Sequence, residues 1–202
     1  MNHLLKSLLI AASLISAPAA FAASSVTPVS ASNNGLVAID GADLSILFDG
    51  YIAPEGTPFQ TDSVSWFDQV GSSGVTLDFD FGQLYSLSDV LIGVDHNDFY
   101  QVQVSLDGSA WNTLFTNLAF EGQSNFGSEI ISSVAGDPEY QATIDFPTTV
   151  ARYARIYAVG GDNAFSVSEV SFSGVAVVPE PETWALLIAG LGLIGAIAYR
   201  RS

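Results

Sequence analysis

The sequence predicts an all-β domain, an antiparallel sandwich or barrel, set between two apolar terminal segments. Three observations predict it. Val75–Phe81 and Phe99–Leu106 alternate apolar and polar residues with the period of a half-buried strand. Gly, Asp and Pro clusters punctuate the chain between short apolar runs. No soluble segment of twelve residues repeats its apolar positions with a helical period. Many short strands with such turns belong to sandwiches and barrels.

The elements follow in chain order. Ser24–Asn34, rich in Ser and Ala, reads as a loose lead-in. In Val75–Phe81 the residues Val75, Leu77, Phe79 and Phe81 share one face, with Thr76, Asp78 and Asp80 on the other. Phe81-Gly82-Gln83 signals a turn, and Leu87–Val94 a second strand. Phe99–Leu106 buries Tyr100, Val102, Val104 and Leu106 and exposes Gln101, Gln103 and Ser105. Asp107-Gly108 is a hairpin turn, where glycine reaches positive φ cheaply, and Trp111 is expected to pack beneath it. Further strands are expected at Asn112–Phe115, Gln141–Phe146, Arg152–Ala158 and Val167–Val175. Arg152 and Arg155, three apart, should face opposite ways and pair with carboxylates.

Both ends carry processing signals. Lys6, the apolar stretch Leu4–Ile15 and Ala20-Phe21-Ala22 have the order of a secretory signal peptide, residues 1–22. At the other end, Pro179-Glu180-Pro181 precedes an uncharged run from Trp184 to Tyr199, then Arg200-Arg201-Ser202. Sixteen residues span about 24 Å as a helix, a short transmembrane segment. Trp184 and Tyr199 suit the lipid boundary, and the two arginines act as a cytoplasmic stop. This stem resembles the PEP-CTERM sorting signal of Gram-negative bacteria. The resemblance implies an exosortase as partner, transient anchoring in the inner membrane, and delivery to the cell surface or an extracellular matrix. Cleavage of the stem and a permanent single-pass anchor both remain open.

Between the signals lies one domain, residues 40–174, with a lead-in at 23–39 and a linker at 175–183. Two of the 21 acids, Glu180 and Glu182, lie in the stem, so 19 remain against only Arg152 and Arg155. Nucleic acid and anionic membrane are poor partners for that surface; divalent cations and neutral or cationic polymers suit it. The chain has no cysteine, which excludes disulfides, thiol nucleophiles and cysteine-ligated zinc. It has two histidines, His3 in the signal and His96 in the polar segment Asp95-His96-Asn97-Asp98. A catalytic triad would rest on His96 alone, and a several-histidine zinc site cannot be built. Asp78 and Asp80 share a strand face, so a carboxylate-dependent glycosidase is a distant alternative.

Two stretches narrow the fold. Leu77-Asp-Phe-Asp-Phe-Gly82, Val90–Val94 and Asp98–Trp111 form one, and Ala151-Arg-Tyr-Ala-Arg-Ile156 with Phe165–Val170 the other. They resemble the discoidin, or factor 5/8 type C, group of galactose-binding-like domains. That implies an antiparallel jelly-roll β-sandwich. It also implies a structural Ca²⁺ held by the Asp of Leu47-Phe48-Asp49-Gly50 and by Glu169; Thr57 or Thr61 could supply a further oxygen. Asp49 making only a local turn is the plain alternative. For ligand binding, Trp66, Tyr51, Phe59 and Phe126 are candidate aromatic platforms in loop-like segments, Trp66 foremost, though it could equally plug the core. The expected function is an exported, non-catalytic domain binding an extracellular polysaccharide or other glycan. A structural or adhesion component of a biofilm matrix, with no defined small ligand, is the rival.

Overall fold

Alternating burial organises most of the chain between residues 23 and 177. The computed structural model describes residues 23–35, 43–67, 74–119, 122, 126–177 and 181–201. Its strands are β1 (Ser24–Val26), β2 (Ser30–Asn34), β3 (Val64–Phe67), β4 (Thr76–Asp95) and β5 (Phe99–Ser105). There follow β6 (Asn112–Asn117), β7 (Ser128–Ser132), β8 (Thr149–Gly160) and β9 (Ala164–Ala176), then helix α1 (Pro181–Arg201). Every strand pairing is antiparallel.

The long strand β4 belongs to both layers of the sandwich. Its first half pairs with β2 and β8, and its second half with β9 and β7. One layer is therefore β2–β4–β8–β5–β6; the other carries β1 and β3 on β9, followed by β4 and β7. The change of layer occurs between Asp80 and Tyr85, where the register with β8 shifts. Gly82, at φ +77, makes that bend, and its N–H donates to Asp80 Oδ1 at 2.7 Å. The turn expected at Phe81-Gly82-Gln83 is thus a bulge inside one strand, and the two strands expected around it are one.

Between the layers, Leu77, Phe79 and Phe81 from the first half of β4 meet Val167, Val170 and Phe172 of β9 in a single core. Edge-to-face contact of Phe81 with Phe172, centroids 5.6 Å apart, joins the layers. A 3₁₀ turn over Leu44–Phe48, capped by Asp43, closes one side with Leu47 fully buried.

Several sequence expectations are corrected. Ser24–Asn34 is not a loose lead-in: β1 pairs with β9 and β2 with β4, because sheet edges offer unpaired backbone groups that short polar strands can satisfy. Gln141–Phe146 is no strand but holds a short 3₁₀ turn at Ala142–Ile144, with Ile144 and Phe146 turned inward. Leu106 is exposed and Ser105 buried, since β5 ends at Ser105, whose hydroxyl accepts the N–H groups of Asp107 and Gly108. Trp111 does not pack beneath the hairpin; it lies half-exposed over the Arg155 guanidinium at 3.8 Å. Arg152 and Arg155 both reach the outer side, because the bulge opposite Arg152 breaks the alternation.

α1 starts at Pro181, inside the segment expected as linker, where a missing N–H costs a helix nothing. Leu186, Ile188, Leu191 and Ile194 are exposed along it. Among the described residues no helix is long and apolar enough to cross a membrane. The expected signal segment 1–22 and the motif residues Pro179 and Glu180 lie outside the described residues.

Candidate functional site

The two layers treat their outer faces differently, and this decides where ligands can reach. Over the β9–β4–β7 layer the chain from Asp49 onward crosses from β9 to the far edge of β7. There Gly56 N–H donates to the Ser128 carbonyl at 2.9 Å and Ser128 N–H to the Thr57 carbonyl at 2.8 Å. Ser65, Ser128, Ser132, Ser166, Ser168 and Glu169 are buried on this side. Gly93 has no Cβ because one would fall 2.2 Å from Ser168 Oγ.

Beneath that crossing lies the first candidate site. Asp49 and Glu169 line a cleft of about 190 Å³ together with Thr27 and Ser171, and Glu169 also lines a neighbouring one of about 230 Å³. Glu169 is 2% exposed, and its Oε2 has no hydrogen-bond partner. Burial pushes its carboxyl up to about 7; the negative charge of Asp49 adds, and the Gly50 N–H pulls back. Asp49 is exposed and accepts the Tyr51 N–H at 2.7 Å, the local turn that was the plain alternative. The donor chemistry fits a hard cation: two carboxylates, one of them with an orphaned buried oxygen. Among the described residues no group of three or more His, Cys, Asp or Glu gathers, so carbonyls, hydroxyls and water would complete the set. Thr57 lines neither cleft, and its hydroxyl donates to the Pro54 carbonyl at 2.6 Å. The threonine at the cleft is Thr27, which the lead-in reading concealed.

The second candidate site is one end of the sandwich, where four loops are tied together. His96 N–H donates to the Gly127 carbonyl at 3.0 Å, joining the β4–β5 turn to the segment before β7. Asn97 Nδ2 donates to Asp162 Oδ2 at 2.9 Å, and Asp162 N–H to Asp98 Oδ1 at 3.1 Å, joining that turn to the β8–β9 turn. The pairing of Ser128 with Thr57 brings in the fourth loop. Asp98 is fully buried, and burial pushes its carboxyl up to about 7 despite the Asp162 N–H; Asp95 and Asp162 add to the rise. Asp95, also buried, is raised by burial, while its contact with His96 Nδ1 at 3.4 Å pulls it back. Gly161 sits so close that a Cβ would meet Asp98 Oδ1 at 1.8 Å.

Aromatic residues ring this end. Phe59 packs edge-to-face on Phe67 at 5.4 Å, and Phe67 is 60% exposed. Phe126 is 61% exposed beside Gly56. Phe59 and Phe126 are therefore both accessible at this end. Trp66 is not: it is 2% exposed and packs on Phe165 at 5.7 Å and Tyr100 at 6.5 Å. Its neighbours Val64 and Ser65 are buried too, because β3 pairs with β9 where the sequence shows no alternation. Tyr51 is exposed but belongs to the crossing chain. Phe67, Asn97 and Asp162, which the structure brings to this end, were not among the sequence candidates; the Asn-Asp and Gly-Gly-Asp turn signals around the latter two were the available clue.

Asp78 and Asp80 are not poised as an acid pair. Arg155 donates to both oxygens of Asp78 at 2.9 and 2.7 Å, and Arg152 to both of Asp80 at 3.0 Å.

Residues 177–202 match the PEP-CTERM protein-sorting motif, which implies export with a C-terminal membrane-anchoring signal. No curated protein is similar to the chain in sequence. Among solved structures, truncated AlyQ with CBM32 and alginate lyase domains is similar over 79% of this chain and 35% of its own, at 16% identity and TM-score 0.51. This chain thus spans about a third of that protein's length. The CBM32 of AlyQ in complex with 4,5-unsaturated mannuronic acid is similar over 74% of this chain and 97% of its own (17% identity, TM-score 0.49). So is chitosan-binding module 2 of a Paenibacillus sp. IK-5 chitosanase/glucanase, solved with chitotriose, over 73% and 97% (18% identity, TM-score 0.47). The likeness to truncated AlyQ shows the fold alone, an antiparallel β-sandwich.

Proposed function

We propose that this is an exported surface or matrix protein whose sandwich binds a glycan without acting on it, and that the loop end is where binding occurs. The observation that carries the reading is the juxtaposition of exposed aromatic faces, Phe67 and Phe126, with polar groups held in place by other loops, His96, Asn97 and Asp162. Flat rings stack on the apolar faces of sugars, and pre-fixed hydrogen-bonding groups select their hydroxyls. The non-catalytic part of the reading draws on the arginine-locked state of Asp78 and Asp80. The PEP-CTERM motif at residues 177–202 supports delivery through an exosortase to the cell surface or matrix of a Gram-negative bacterium, with the sorting signal holding the chain at the inner membrane beforehand.

The cleft between Asp49 and Glu169 is proposed to hold a structural Ca²⁺. Asp49, Glu169 and neighbouring carbonyls would bind it, and the ion would fix the crossing chain rather than contact the glycan. Its charge would also keep Glu169 ionised near neutral pH.

A glycan-array screen of the full chain in detergent, with calcium and with EDTA, tests the proposal. Binding to one glycan class, lost in His96→Ala and Phe126→Ala and only weakened by EDTA, is expected. A folded chain that binds no glycan in either buffer would overturn it and leave the structural or adhesion role.

A further inference from the structure

The outer face of the β2–β4–β8–β5–β6 layer is separate from the loop end, and no described loop crosses it as the Asp49 segment crosses the other layer. Its register builds straight rows. Ser32, Asp78, Arg155, Gln103 and Thr113 stand opposite one another across five strands. Four interstrand steps make such a row about 19 Å long at ~4.8 Å per step.

The next row is a fixed hydrogen-bond array centred on Gln101. Its Oε1 accepts from the Tyr157 hydroxyl, from Gln103 Nε2 at 3.2 Å and from Thr113 Oγ1 at 3.3 Å. Its Nε2 donates to Thr116 Oγ1 at 3.0 Å. Half-exposed rings border the array: Trp111 over Arg155, and Tyr153 beside Arg152 at 5.0 Å.

The charge balance separates this face from the rest of the domain. Between the two processing signals the chain has 19 acids and two arginines. Both arginines are here, each chelated by one aspartate, so the face is neutral on an acidic body. A polyanion would find no uncommitted cation, and its approach would be opposed by the surrounding carboxylates. A polycation would be drawn to the acidic parts of the surface instead. A neutral polyhydroxyl chain desolvates no unpaired charge on this face and meets amides, hydroxyls and ring faces along its length.

We propose that this open sheet face is a second glycan surface, distinct from the loop end, that takes an extended uncharged polysaccharide chain. It rests on the carbohydrate-binding reading of the domain and adds chain length and neutrality to it.

Affinity gel electrophoresis of the full chain in detergent, with galactomannan, hydroxyethylcellulose or alginate cast in the gel, tests the proposal. Retardation by one of the neutral polymers but not by alginate is expected. Trp111→Ala should weaken it about tenfold and the milder Gln103→Ala/Thr113→Ala variant about threefold, with circular dichroism unchanged in the latter. Binding of short oligosaccharides, followed by calorimetry, should survive in that variant and be lost in Phe126→Ala. If the neutral polymers retard every face variant as strongly as the parent chain, the face is not a glycan surface while the loop-end reading stands. The same holds if short oligosaccharides bind but no neutral polymer retards the parent. A concentration-dependent dimer abolished by the face variants would assign the face to a second copy and overturn the proposal. Failure of both polymers and oligosaccharides to bind sinks the carbohydrate reading itself.

Discussion

One layer of the sandwich has its outer face covered by its own chain, and among the described residues the other leaves it bare. On the covered side, serines and Glu169 are sealed under the Asp49–Thr61 crossing; on the bare side, Asp78, Arg155 and Gln103 meet solvent across three strands. The difference teaches where this protein can tolerate change. A buried polar group must have its partner or an ion, whereas a half-exposed pair is partly satisfied by water. Substitutions should therefore fall steeply in cost from the core and the covered side to the bare one.

The largest effect is expected at Trp66, in the core beneath the covered layer. Trp66→Ala should cost about 3–5 kcal/mol and lower the melting temperature by about 10 °C, read by circular dichroism. Any loss of glycan binding should follow only the loss of folded protein. Binding lost from a fully folded variant would break the placement of Trp66 as packing.

Next comes Asp98, where loops from both layers meet. Its folded carboxyl takes a proton near pH 7, against an ordinary value of 3.8. Between those pH values the folded state holds the extra proton, so stability falls as pH rises, by up to about 1.4 kcal/mol per pH unit. Denaturant titrations from pH 4 to 8 should show that slope, and Asp98→Asn should flatten it. An unchanged slope in the variant would move the effect to another group.

A smaller effect sharpens the covered side. Calcium at a hundredfold excess over its dissociation constant should stabilise the parent chain by about 2.7 kcal/mol. Glu169→Gln should remove that increment while remaining folded in chelator, because the amide leaves no buried charge. Differential scanning calorimetry with calcium and with EDTA decides it; equal calcium stabilisation of both chains would move the ion elsewhere.

The bare side closes the series. Trp111→Ala should cost about 1 kcal/mol, the scale of an exposed cation–π contact, and Gln103→Ala less than about 0.5 kcal/mol. Costs there as large as at Trp66 would erase the distinction between the faces.

What could be read from the sequence follows the same division. Strands exposed on one side alternate, so Thr76–Phe81, Phe99–Val104 and much of β8 were legible. Strands of the covered layer are buried on both sides and lose the alternation, which is why Val64–Phe67 and Ser128–Ser132 were missed and Trp66 was read as a platform. β1 and β2 were missed because short polar edge strands carry no hydrophobic pattern. Asp49 and Glu169 were found together through family resemblance, although 120 residues of sequence separate them. Asn97 and Asp162 are joined only by tertiary contact between two turns, which no spacing reveals. Thr57 was expected as a further oxygen donor beside Asp49, but the crossing chain carries it away to the β7 edge.

The path of β9 has a mechanical consequence. It runs from Ala164, beside the loop end, to Ala176, five residues before α1 starts, a distance of roughly 40 Å at ~3.3 Å per residue. A polymer held at the loops and a membrane holding the stem would pull along this strand. The load would fall in shear on its hydrogen bonds to β1, β3 and β4 at once, so rupture requires many to fail together rather than one after another. Under such a pull the domain would be strung along its length between the points where tension enters and leaves, the geometry of a tether rather than of a lid.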